Sequence, residues 1–257
     1  MRFVVACLAL AMSACLASAN EDADRLVDAL GVPALLQAFT IEGERAGQSI
    51  NDGFLDGQGG DVWAETVRRL YDPLRMEAEI RTVMADVLGA DQAAQALLFF
   101  DSDLGRKVIE LEVEARQAFI DAQVEAAAKL APSAQSASVT GFLVARDLIG
   151  RNTDVAVAAR IAFFDGLVMA SGRDGAPDVE ALRPGIAQET ESWLRGYYAL
   201  VQSAMSADDI AVYTAFWKTE VGQAVDDALF AAFGQSYTTL SYALGQAAGR
   251  LVPQNEL

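Results

Sequence analysis

"FFDSDLGRKV" at Phe99–Val108 and "FWKTEVGQAV" at Phe216–Val225 are the stretches whose reading decides the fold. Each writes two aromatics, any residue, a hydroxyl, an acid, an aliphatic and Gly, and the second follows the first at an offset of 117 residues. The order has a local physical sense. Phe99-Phe100 and Phe216-Trp217 end one helix with a large area to bury. Ser102 and Thr219 stand where an N-cap is needed, so their hydroxyls can accept orphan backbone N–H groups of a following helix. Asp103 and Glu220 fall in its first turn, where the helix dipole favours an acid. Gly105 and Gly222 weaken a helix for no local gain, which points to close approach of a neighbouring helix or ring. The motif therefore predicts a corner between two helices, and Phe99, Phe100, Ser102, Gly105, Phe216, Trp217, Thr219 and Gly222 are assigned a structural role.

The likeness extends outward at the same offset. Over Ala90–Val108 against Ala207–Val225 there are six identities in nineteen positions. Leu26-Val27 falls on Leu143-Val144, Asp61-Val62 on Asp178-Val179, and Met76, Ile80 and Met84 on Trp193, Tyr197 and Val201. We read an internal duplication with a period too long for a solenoid of small repeats. The expected organisation is a signal peptide at 1–19, helical repeats at 20–131 and 138–252, and a loose tail at 253–257.

Around the corners the chain reads helical throughout, being rich in Ala, Leu, Glu, Gln and Arg and lacking the alternation of a strand. Helices are expected over Asp22–Leu30, from Pro33 toward Leu55, and from Asp61 to Val87 with a break at Asp72-Pro73. Others are expected at Asp91–Phe100 and as one long helix over Asp103–Leu130. The second half predicts Thr140–Ile149, Thr153–Ala170, Asp178–Met205 disturbed near Pro184, a short helix to Trp217, and Glu220–Leu251. The fold class is all-α: two similar multi-helix halves packed together, meeting near a pseudo-two-fold axis.

The first residues read as an export signal. Arg2 supplies the positive start, Phe3–Met12 the apolar stretch and Ala17–Ala19 the small-x-small cleavage pattern. Cleavage after Ala19 implies a periplasmic or secreted protein. A rival reading is open: "MSAC" at Met12–Cys15 resembles a lipoprotein box, which places a lipid on Cys15 and the protein at a membrane. Both cysteines, Cys7 and Cys15, lie in this segment, so packing rather than disulfides holds the rest. With 19 basic and 36 acidic side chains the chain carries −17, which disfavours nucleic acid.

"FFDSDLG" and "FWKTEVG" resemble the aromatic-x-Ser/Thr-x-x-Gly signature of the bacterial family called domain of unknown function 2059. Family members often carry Pro after the Ser/Thr, where this chain has Asp103 and Glu220. The pattern of Trp63, Tyr71–Pro73 and Met76 is similar to longer members with two units. The resemblance implies an exported, helical, uncharacterised protein and no established catalytic residue.

Nothing in the residues adds a reaction. There is no His, which removes His-based triads and typical zinc sites. No phosphate loop, dinucleotide fingerprint or Ser-x-x-Lys dyad is written. Asp101 and Asp103 flank Ser102 and suit a hard cation, but Lys218 and Glu220 replace them in the second copy. Asp226-Asp227 point to different sides of a helix, and "GQAAG" at Gly245–Gly249 permits tight helix contact. No catalytic, cofactor or metal residue is assigned. The expectation is a non-enzymatic binding or interaction module of the cell envelope, with an unknown envelope protein or itself as partner. The alternative is a helical bundle enclosing an apolar small molecule or lipid tail between its halves. A carboxylate-based enzyme is the third reading.

Overall fold

The computed structural model describes residues 21–130, 136–172 and 175–252. The signal segment and the tail lie outside the described residues. The helices run in order α1 Glu21–Ala29, α2 Val32–Phe54, α3 Gly60–Leu70, α4 Pro73–Val87, α5 Ala90–Phe100, α6 Asp103–Ala118, α7 Ala122–Leu130, α8 Ser136–Ala145, α9 Leu148–Ser171, α10 Arg183–Ser203, α11 Ala207–Trp217 and α12 Glu220–Leu251. A 3-10 turn at Glu180–Leu182 leads into α10. No strand is present among the described residues, so the fold is all-α. No single helix among them is long and apolar enough to cross a membrane.

Local chemistry sets many of these limits. Asp72 caps α4 by accepting from the Leu74 N–H at 3.0 Å, and Pro73 occupies the first helical position. This splits the stretch expected over Asp61–Val87 into α3 and α4. Ser206 caps α11 by accepting from the Asp209 N–H at 3.1 Å. The boundaries of α5 and α11 coincide at the offset of 117, and so do the starts of α6 and α12.

Three expectations need correction. The single helix expected over Asp103–Leu130 breaks between α6 and α7. There Phe119 is buried, edge-on to Trp193 at 5.4 Å and to Tyr197 at 5.7 Å, and Asp121 accepts from the Gln123 N–H at 2.8 Å to start α7. Burial of one ring turns the chain where helix propensity alone does not. The helix expected over Thr140–Ile149 instead covers α8 and stops before Asp147, which holds a left-handed turn at φ 48°. Gly31 holds the matching turn before α2 at φ 68°. Those two turns are 116 apart, so the register of the first helices is one residue shorter than at the corners. Accordingly Leu26 and Val27 are both buried, whereas Val144 is 73% exposed, and it is Phe142-Leu143 that fill the equivalent inward positions. The third correction concerns Asp61-Val62, which begins α3, while Asp178-Val179 precedes the 3-10 turn. Val62 is exposed and Val179 buried, so those letters match without a matching setting.

The halves interlock. α4 of the first half packs on α12 of the second, and α10 of the second packs on α6 and α7 of the first. At the offset these are equivalent pairings, with the roles of the halves exchanged. One apolar core runs through both, including Leu26, Met76, Ile80, Met84, Phe100, Phe142, Trp217 and Leu240. The second half adds a close pair, α9 against α12. A Cβ on Gly245 would stand 1.9 Å from the Phe163 carbonyl oxygen, and one on Gly166 2.2 Å from that of Tyr242. The small residues of "GQAAG" thus serve contact within the chain.

Candidate functional site

The two corners have one geometry. Ser102 Oγ accepts from the Gly105 N–H at 3.0 Å and donates to the Phe99 carbonyl at 2.6 Å. Thr219 Oγ1 accepts from the Gly222 N–H at 3.0 Å and donates to the Phe216 carbonyl at 2.7 Å. One hydroxyl thereby closes the end of the preceding helix and caps the next. The glycines are explained by the same turn. A Cβ on Gly105 would lie 2.1 Å from the Phe99 carbonyl oxygen, and one on Gly222 2.2 Å from that of Phe216. The close approach is made by the backbone six residues earlier, not by a neighbouring helix or ring.

The corners also meet each other. Phe99 stacks on Phe216 with centroids 4.2 Å apart and planes 12° apart. Phe100 stands edge-on to Phe216 at 5.1 Å and tilted to Trp217 at 5.9 Å. The junction between the halves is filled by these rings.

Beside the second corner lies a buried polar cluster that the sequence did not single out. Arg146, in the turn after α8, bonds Asp226 of α12 through Nη2 to Oδ1 at 2.6 Å and through Nε to both oxygens at 3.2 Å. Their side chains are 7% and 4% exposed. The guanidinium sits 3.7 Å from the centroid of the Trp217 ring. Arg151 adds a contact to Asp226 at 3.8 Å and takes Asp227 at 2.8 Å. Asp226 faces inward while Asp227 is exposed, so the adjacent acids do point to different sides. Burial would lower the charge on Arg146, but the neighbouring Tyr198 and the Asp226 carboxylate outweigh it and hold the guanidinium charged.

Part-buried Glu112 of α6 completes the cluster from the first half. Tyr213 of α11 donates to its Oε1 at 2.8 Å, and Tyr197 of α10 donates to its backbone oxygen at 2.8 Å. Burial pushes the Glu112 carboxyl above the usual range. Arg146 and the Tyr213 hydrogen bond oppose that shift, and the Asp226 charge adds to it. Burial first, then the Glu112 charge, raises the Tyr213, Tyr198 and Tyr197 phenols. Among the described residues the buried Trp217 Nε1 has no protein partner.

Other arrangements offer less chemistry. Asp101 and Asp103 do not converge on a cation: Arg25 takes Asp101 at 3.3 Å and Arg106 takes Asp103 at 2.5 Å. Among the described residues no group of three or more acidic, His or Cys side chains is placed to hold a metal. An open hollow of about 290 Å³ beside the first corner is lined by Arg25, Leu98, Asp101 and Ser102. Another of about 610 Å³ lies at the α6–α7 break, beside Arg45, Gln117 and Asp121.

The outward side of α8 differs in charge from that of α1, its counterpart in the first half. Helices α8 and α11 touch through Phe142 and Tyr213, whose centroids are 5.1 Å apart. Outward α8 presents Ala137, Thr140, Gly141 and Val144, and α11 presents Ala211, Val212 and Ala215 between exposed Asp208 and Lys218 at its two ends. Equivalent helices of the first half present Asp24, Arg25 and Asp28 on α1, with Ala94, Gln95 and Leu98 on α5.

No curated protein and no solved structure matches this chain. The second corner lies outside the range that a family model covers. Residues 75–133, which contain α5 to α7, most of α4 and the first corner, match the model of an uncharacterized protein conserved in bacteria (DUF2059).

Proposed function

We propose that the protein is a non-enzymatic interaction module of the cell envelope, exported with cleavage after Ala19, and that it works through the outward face of α8 and α11. The observation that carries this is the mostly apolar character of that face, with its charges confined to the ends of α11, on a chain of net charge −17. Val144 is 73% and Val212 51% exposed. Exposed apolar surface rimmed by polar residues marks interaction sites. The occupant is an apolar helix of a partner protein. Ala137, Gly141, Ala211 and Ala215 permit close helix approach. Exposed Asp147 and Asp208 at the helix ends disfavour an anionic lipid surface. An apolar ligand held between the halves is less well supported, because stacked rings occupy that junction.

We further infer that the halves descend from one helical unit. Supporting this are the matching corners, the boundaries of α5 and α11, and the exchanged packing of α4 and α10.

A photo-crosslinking residue placed at Val144 or Val212, and at exposed Val62 or Leu74 as controls, tests the docking face in the native host. Discrete protein adducts from the first pair and none from the controls are expected. Equal labelling from all four positions overturns the assignment. Adducts between two copies of the chain identify the partner as self.

A further inference from the structure

We propose that Glu112 is a proton-operated latch between the two halves, holding α6 more tightly to the second half when its carboxyl is protonated. Glu112 belongs to the first half, but among the described residues the groups that act on its carboxyl come from the second. Arg146 approaches from the turn after α8, Tyr197 and Tyr198 from α10, Tyr213 from α11, and Asp226 from α12. Two carboxyls therefore lie in the field of one buried guanidinium. Asp226 takes that guanidinium by direct hydrogen bonds and has Arg151 beside it as well. Glu112 is met by a phenol instead. With both carboxyls ionised, the second negative charge is held in a low-dielectric site by a neutral donor, which is costly. Protonation of Glu112 leaves one cation against one buried anion.

Two basic side chains of α6 are engaged by acids elsewhere. Arg116 pairs with Glu42 of α2, with Nη1 to Oε1 at 2.6 Å, and Lys107 pairs with Asp209 of α11 at 2.8 Å. On α5, Asp91 is exposed in the first turn, and Asp101 just after the helix is taken by Arg25. None of them supplies a counter-charge to Glu112. The raised carboxyl agrees with the geometry.

The sign follows from linkage. Below the ordinary glutamate value, 4.5, folded and unfolded chains both hold the proton and the latch is fully made. Above it the unfolded chain releases the proton first. Stability from this group is then lost as pH rises through the folded-state value.

The test is urea unfolding of the full chain at several pH values from 4.5 to 8.5, read by tryptophan fluorescence. The wild-type midpoint should fall with rising pH more than that of Glu112→Gln. The variant should be the more stable at pH 8.5, with the two converging toward pH 4.5. A wild-type-to-variant difference that does not change with pH overturns the proposal. Should Glu112→Gln fail to fold, Tyr213→Phe gives a second reading. Removing the phenol that favours the ionised carboxyl should move the loss of stability to higher pH. An isotope-edited carboxyl signal of Glu112 in the wild type should titrate above the ordinary value, and titration at or below it also overturns the latch.

Discussion

The two corners share one set of hydrogen bonds, and the helices around them carry different chemistry. Where the second half has Arg146, Tyr197, Tyr213 and Asp226, the equivalent positions of the first are Leu30, Ile80, Ala96 and Ile109. All are buried or part-buried, but the first set is an ionic and phenolic cluster and the second is aliphatic. The surface is reversed. α1 is charged outward, with Arg25 held by Asp22 and Asp101, and Arg81 paired with Asp28 and Glu77, while the outward face of α8 is uncharged. The corners are nearly superimposable in their hydrogen bonds. The lesson is that the corner fixes the backbone, and the interior around it can change from apolar to polar if each buried charge finds a partner.

The largest expected effect breaks the ionic half of the comparison. Arg146→Met strands Asp226 in the core and should cost about 3–5 kcal/mol by chemical denaturation, since one partner of a buried pair remains. The double change Arg146→Met with Asp226→Leu should recover most of that loss by restoring an apolar interior like that at Leu30 and Ile109. A double variant as unstable as the single one would mean the cluster is needed for more than charge balance.

Next come the glycines. Gly105→Ala and Gly222→Ala each force a Cβ onto a backbone carbonyl that cannot move aside, and overpacking of this kind costs about 1–3 kcal/mol. Leu at either position should cost more. Similar losses at both sites would sharpen the equivalence of the corners, and wild-type stability at one would break it.

The smallest effect is at the caps. Ser102→Ala and Thr219→Ala should each cost about 1 kcal/mol, measurable as a shift in urea midpoint. Because each hydroxyl also bonds the end of the preceding helix, the two losses should be alike and independent of pH between about 5 and 8.

How much of this was legible in the sequence depended on how local the cause was. The caps at Ser102 and Thr219 and the break at Asp72-Pro73 rest on neighbours within a few residues, and those limits were read correctly. The break at Phe119 was missed because its cause is a buried ring against Trp193 and Tyr197, which are remote in the chain. The left-handed turn at Asp147 had no glycine to announce it, unlike its counterpart Gly31. Glu112 was hidden among the acids of α6. Glu110 and Glu114 lie on the exposed stripe of α6 that periodicity favours, and only the fold shows that Glu112 is met by Tyr213. For Asp226, helix geometry indicated that it parts from Asp227, but which of the two turns inward was set by Arg146.

The stacking of Phe99 on Phe216 carries a consequence for dilution. On the proposed duplication, a single unit would offer this ring and its interlocking helices to a second copy, and their association would weaken as concentration fell. With both units in one chain, the contact becomes intramolecular, and its strength is set by effective concentration rather than by how much protein is present. Under the proposed export, release into the small volume of a periplasm or the unlimited one outside leaves the halves together equally well.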